Sequence, residues 1–134
     1  METVANPEPA TGGNRQLMME FWEAVERRDV EVLSRLVHPD VVMSWPQSGE
    51  RFTGLENALG ALQAQEEPPE VAGEPRLLGC GDVWVSLVPL RYGDDVYHYV
   101  GVFELADGLI SRTTELFGAP FPAQEGRARF ADPA

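Results

Sequence analysis

The sequence predicts an α+β fold, with helices gathered in the first half of the chain and an antiparallel sheet in the second. Three observations carry this. Leu17, Met18, Phe21, Trp22 and Val25 recur at the three- and four-residue spacing of one helix face. From Arg76 onward the chain is a succession of β-branched and aromatic runs broken by short Gly-Asp and Asp-Gly pairs. Asp107-Gly108 is a strong two-residue hairpin signal, because such a turn needs positive φ at its central residues. Helices placed ahead of a meander pack on one face of the sheet.

The elements follow in order. Residues 1–13 hold Pro, Gly, Thr and Asn without a period and read as a disordered lead. Asn14 is placed to cap a helix from about Arg15 to Arg28. Asp29 can cap a second helix whose Val30, Leu33, Leu36 and Val37 face inward, and Pro39 in His38-Pro39-Asp40 ends it. Val41 to Trp45 is a short strand, Pro46 to Glu50 a turn, and Arg51 to Thr53 a return strand. A third helix runs from Leu55 to about Gln65, and EEPPEVAGEP after it is a loop. Arg76 to Cys80 is a strand, and Val83 to Gly118 a three-strand meander. Residues 14–118 thus form one domain, and 119–134 an irregular tail in which Phe121 and Phe130 are free to dock.

The net charge is −12, from 22 acids against 10 basic residues, all of them arginine. Such a surface repels nucleic acid and anionic membranes, so neither is an expected partner. The amino terminus lacks a basic region followed by an apolar one, and no apolar run is long enough to span a bilayer. The lone Cys80 rules out an internal disulfide framework and fits a reducing, cytoplasmic setting; in LLGCGD it reads as a small strand residue. His38 and His98 lie far apart in sequence and make no metal-ligand set.

The meander's register assigns its faces. With Asp107-Gly108 as the turn, Ala106 pairs with Leu109, Val102 with Thr113, Val100 with Glu115 and His98 with Phe117. One face then carries Val96, His98, Val100, Val102, Thr113, Glu115 and Phe117. The other carries Tyr97, Tyr99, Gly101, Phe103, Ile110, Arg112 and Leu116. A two-residue turn at Gly93-Asp94 or Asp94-Asp95 adds Val85, Leu87, Pro89 and Arg91 to the His98 face, whereas a three-residue turn would flip that strand and bring in Trp84 instead. The Tyr99 face, rich in aromatic groups, is a candidate subunit interface or, equally, an ordinary outer sheet face softened by Tyr hydroxyls and Arg112.

Taken together, MEFWEAVERRDVEVLSRLVHPDVV, WPQSGERFTG and YVGVFELADGLISRTTELF resemble the nuclear-transport-factor-2-like superfamily, in particular its SnoaL-like branch. The resemblance spans roughly residues 14 to 118. It implies a cystatin-like roll: a curved antiparallel sheet forming a cone, closed by three helices from the N-terminal half, and a homodimer built through the outer sheet face. Relatives include steroid isomerases, limonene epoxide hydrolases, polyketide cyclases and non-catalytic binding modules. A steroid isomerase would need a carboxylate at Trp45, a phenol near Phe21 and an acid near Val100, none of which is present. A limonene-type epoxide hydrolase would need an arginine and an acid at Leu87 and Pro89; only its late acid is matched, by Glu115.

Glu115 is therefore the expected catalytic acid or base, because a carboxylate facing an apolar cavity has its pKa pushed upward. His98 is the expected proton relay beside it. Met18, Phe21, Trp45, Leu87, Arg91, Val100, Thr113 and Phe117 are the expected substrate-binding residues. The function implied is cofactor-free isomerase, cyclase or hydrolase chemistry on a hydrophobic, ring-containing small molecule. The competing expectation is a non-catalytic ligand-binding or dimerisation module in which Glu115 is a structural polar group.

Overall fold

An 18-residue helix, α1 (Ala10–Arg27), lays Met18, Phe21, Trp22 and Ala24 into the core. In the computed structural model, residues 10–65 and 68–133 are described, the first three without their side chains. Residues 1–9 of the expected disordered lead fall outside that range. Residues 10–13 are already helical, so Asn14 is not a cap. Its side-chain amide instead donates to the Gly81 carbonyl at 2.8 Å, tying α1 to a turn of the sheet.

At the end of α1, Arg28 takes a positive φ, and Asp29 caps α2 (Val30–Leu36) by accepting from the Val32 N–H at 3.1 Å. The second helix ends one residue earlier than expected, and Val37 opens β1 (Val37–Trp45). Pro39 is tolerated there because the pairing is irregular between Val37 and Val42, where no ladder bond is asked of it. A tight turn leads to β2 (Glu50–Thr53), and α3 (Leu55–Gln63) then packs on β1 and β2. The following loop contributes a two-residue strand, β3 (Glu70–Val71). It is followed by β4 (Arg76–Cys80), β5 (Val83–Tyr92), β6 (Asp95–Ala106) and β7 (Leu109–Gly118). The tail is exposed throughout its described length and includes a 3-10 turn, Glu125–Phe130. Phe121 and Phe130 dock on nothing, at 81% and 73% exposure.

Two expectations about the sheet are corrected. It is mixed rather than antiparallel, because β1 runs parallel to β7. It is also open rather than closed into a cone. The strands lie in the order β2-β1-β7-β6-β5-β3, with β4 also on β5, and the two edges do not pair. At four and two residues, the edge strands β2 and β3 are short, and the β1–β2 side is covered by α3 instead of by another strand.

The third correction concerns register and decides the site. Ala106 pairs with Leu109 and Leu105 with Ile110, as the Asp-Gly turn requires. Ser111 then has no partner: the next pair is Glu104 with Arg112, and the ladder continues through Phe103–Thr113, Gly101–Glu115 and Tyr99–Phe117. This is a β-bulge, one extra residue on β7, with the Ser111 hydroxyl donating to the Glu104 carbonyl at 3.0 Å. Because side chains alternate with a period of two, one extra residue exchanges the faces beyond it. The β5–β6 turn at Gly93-Asp94 keeps Leu87, Pro89 and Arg91 with His98 and Val100, as expected. That whole set, however, lies on the outer face.

The inner face carries Trp84, Ser86, Val88 and Leu90 from β5 and Tyr99, Gly101, Phe103 and Leu105 from β6, all buried. Tyr99 and Phe103 are therefore core residues and not an interface. Phe21, Trp22, Tyr99 and Phe103 meet edge to face with ring centroids 5.2–6.3 Å apart. The Trp22 indole donates to the Ser86 hydroxyl at 2.8 Å, so these two deeply buried polar groups satisfy each other.

Candidate functional site

Glu115 is the one charged side chain buried among the described residues, at 7% exposure. It sits on the inner face of β7, opposite Gly101. Thr113, two residues earlier on the same face, donates its hydroxyl to Oε2 at 2.7 Å. The Tyr99 phenol donates to Oε1 at 2.7 Å. Gly101 makes the second bond feasible. A Cβ there would overlap the Tyr99 hydroxyl and the Phe103 ring, so the phenol reaches the carboxylate across the space a side chain would fill.

No arginine or histidine pairs with this carboxylate among the described residues, and its two bonded partners are neutral. Burial accordingly pushes the Glu115 pKa upward, partly opposed by the Thr113 and Tyr99 hydroxyls and by the nearby Trp45 N–H. Burial, and then the charge of Glu115, drive the Tyr99 phenol well above its ordinary value, so it stays protonated as a donor. A buried acid whose pKa is raised, held by two neutral hydroxyls, is a group suited to taking up and releasing a proton.

Beyond the carboxylate lies a small, almost wholly apolar cavity of about 30 Å³, bounded by Phe21, Met43, Leu59, Ile110 and Thr113. At the open end of the sheet face, a cleft of about 300 Å³ is lined by Trp45, Gln47, Gln65, Tyr92 and Phe117. Trp45 and Phe117 meet edge to face at 5.6 Å, and Phe117 meets Tyr99 at 5.3 Å. This aromatic row runs along the face between the two spaces. Gln47 latches it: its side-chain amide donates to the Phe117 carbonyl at 2.9 Å and accepts from the Phe117 N–H.

The structure thus brings Glu115, Thr113, Phe21, Trp45 and Phe117 to one face, with Met18 in the core behind them. It does not bring His98, Leu87, Arg91 or Val100 there. His98 and Arg91 are exposed, and Leu87 and Val100 pair with each other on the outer face. Tyr99 and Gly101 were missed. The available signal was a glycine inside an aromatic strand, which marks close approach of another group. No group of three or more His, Cys, Asp or Glu among the described residues could hold a metal ion. No helix there is long and apolar enough to cross a membrane.

Fold and site define a class: a small α+β protein whose mixed, open sheet buries one acid among the described residues, beside apolar space under three helices. Residues 19–113 match the SnoaL-like domain family. The chain belongs to that family, within the NTF2-like superfamily. It is similar to a crystal structure from Kribbella flavida provisionally named a ketosteroid isomerase. The identity is 27%, 92% of this chain and 91% of that one are covered, and the TM-score is 0.84. An NTF2-like protein of unknown function from Burkholderia xenovorans is 26% identical, over 92% and 96% of the chains, with a TM-score of 0.79. An LEH-like epoxide hydrolase from M. tuberculosis shares the fold at 19% identity, over 81% and 85% of the chains, with a TM-score of 0.67. No curated protein matches the chain.

Proposed function

We propose that the inner sheet face binds a small hydrophobic, ring-containing molecule and that Glu115 is its cofactor-independent acid or base. One observation carries this reading: a buried carboxylate with no cation, held by two neutral hydroxyls at 2.7 Å, beside apolar space. Its raised pKa keeps a protonated fraction available to a substrate oxygen or carbon. After proton release, Tyr99 and Thr113 solvate the anion without rearranging. Substrate-binding contacts would come from Met18, Phe21, Trp45, Thr113 and Phe117. The names of the structural neighbours, an isomerase and an epoxide hydrolase, fall within this chemistry. His98 has no part in it.

A second reading is favoured by the size of the inner cavity. About 30 Å³ holds one or two water-sized groups and not a ring, so the face serves as filled core in a non-catalytic binding or dimerisation module. A homodimer would form through the outer face, where Leu78, Val83 and Leu116 are exposed and Val85, Leu87, Val100 and Val102 half-buried.

Native mass spectrometry of ligands carried through purification, followed by turnover assays of wild type and Glu115→Gln on the ligand found, separates the two. Turnover lost at least a hundredfold in Glu115→Gln, with the ligand still bound, supports acid–base chemistry. A Glu115→Gln protein with unchanged ligand response and oligomeric state supports the module.

A further inference from the structure

Trp45 closes β1, Glu50 opens β2, Tyr92 closes β5, and Phe117 is the penultimate residue of β7. These four side chains line one cleft of about 300 Å³, far larger than the space of about 30 Å³ beside Glu115. The three rings are half-buried, so each gives part of its surface to the cleft. Trp45 and Phe117 stand nearly perpendicular, at 82°, and form a corner. Tyr92 adds a third ring. Phe52 braces Trp45 at 4.9 Å and Tyr97 braces Tyr92 at 4.7 Å, so the aromatic walls are fixed before any ligand arrives.

The charge in this cleft has one sign. Glu50 pairs directly with Trp45 in the β1–β2 ladder, which sets carboxylate and indole side by side on one sheet face. The Ser48 hydroxyl donates to Glu50 Oε1 at 2.7 Å, and no cation among the described residues pairs with this carboxylate. Strand alternation turns Arg51 and Arg91, the neighbours of Glu50 and Tyr92, to the opposite face. Burial, and then Tyr97, raise the Tyr92 pKa, so its phenol stays neutral. Gln47 also lines the cleft, but its amide is already engaged with both backbone groups of Phe117. The walls therefore offer π-surface and one negative charge, with few directional partners for a hydroxyl-rich ligand.

We propose that this cleft is an aromatic cage for the alkylated ammonium group of a small organic cation. The positive charge lies among Trp45, Tyr92 and Phe117, whose π-electron density attracts it, and Glu50 supplies the counter-charge at the rim. A fully methylated ammonium donates no hydrogen bond, so it asks for none of the acceptors that the walls lack. An anion would meet only Glu50, on a chain already at −12. A neutral ligand of the same shape gains the apolar contact without the electrostatic one. The inference goes beyond the reading of the inner face: it concerns the cleft and does not need Glu115.

The test is an NMR titration of the 15N-labelled chain with choline and with its uncharged carbon analogue, 3,3-dimethylbutan-1-ol. The Trp45 indole resonance, assigned through Trp45→Phe, reports on the cleft, and those of Trp22 and Trp84, buried in the core, serve as references. Choline is expected to move the Trp45 resonance alone and to bind roughly tenfold more tightly than the alcohol, the scale of a desolvated cation–π contact. Tyr92→Leu is expected to weaken choline about tenfold, while Tyr92→Phe, which keeps the ring, holds wild-type affinity. Glu50→Gln, at an exposed position that leaves the fold intact, is expected to weaken choline several-fold and to leave the alcohol unchanged. Equal affinity for the two probes, no shift with choline, or wild-type choline binding by both Tyr92→Leu and Glu50→Gln overturns the cage. Choline binding retained in Glu115→Gln supports it whatever becomes of turnover. Choline binding lost in Glu115→Gln overturns it and assigns the cation to the buried acid.

Discussion

The two faces of the β5–β6–β7 meander are built from the same strands and alternate residues, yet they hold polar groups in opposite ways. On the inner face Ser86, Tyr99, Thr113 and Glu115 are buried, and each has a partner at 2.7–2.8 Å. On the outer face His98 and Arg91 stand in solvent between half-buried aliphatic residues. Polar groups outside are free to move and cost little. Polar groups inside are fixed by one another, because each unpaired one would cost about 1–3 kcal/mol. A titrating residue is therefore informative by its face before its chemistry: Glu115 has a defined environment, and His98 does not.

Substitutions matched across the faces put this contrast to the test. Phe103→Ala, at a fully buried inner position, should cost about 3–5 kcal/mol in chemical denaturation. Val102→Ala, the preceding residue of β6 on the outer face, should cost well under half of that. Equal losses would mean that the outer face is also covered, as in a dimer. Tyr99→Phe removes one donor from the buried acid and should cost about 1–3 kcal/mol, with a further rise in the Glu115 pKa measurable by carboxyl-carbon NMR.

Glu115→Gln should act in the opposite direction, and only at higher pH. The Glu115 pKa is raised in the folded chain, so the folded state binds more protons than the unfolded one above the ordinary value of 4.5. Stability then falls as pH rises from 4.5 through the folded pKa. The melting temperature of Glu115→Gln should match wild type at pH 4, exceed it increasingly as pH rises from 4.5 through the folded pKa, and keep that margin above it. A constant difference would mean that the carboxylate is not desolvated. The smallest effect belongs to His98→Ala, within about 0.5 kcal/mol of wild type. A loss larger than that would give the exposed histidine a role that the contrast denies it.

Much of the architecture was legible because it depends on local pattern. The apolar stripe of α1, the Asp29 cap and the Asp107-Gly108 turn all appear where residue chemistry puts them. The closing of the sheet was not legible, since it depends on which distant edges meet. The parallel pairing of β1 with β7 is likewise non-local. The site failed for a narrower reason. Turn chemistry sets a hairpin's register only as far as the first irregularity, and Ser111 lies two residues beyond Leu109 at the turn's end. Ile110 and Thr113 are both buried but three residues apart, a spacing that no regular strand provides. Glu115 was singled out for its chemistry and also lies on the inner face; its companions were drawn from the wrong side. Trp45, expected among the substrate-binding residues, borders the cleft.

The bulge at Ser111 works on the strand as a frameshift works on a coding sequence. Read in step with the buried Ile110, an unbroken β7 would present Arg112, Thr114 and Leu116 to the interior. The extra residue moves the reading frame by one, and Thr113, Glu115 and Phe117 are read inward instead. The message is unaltered; only its phase has changed. The identity of the site thus depends on a serine whose own hydroxyl is turned to the Glu104 carbonyl.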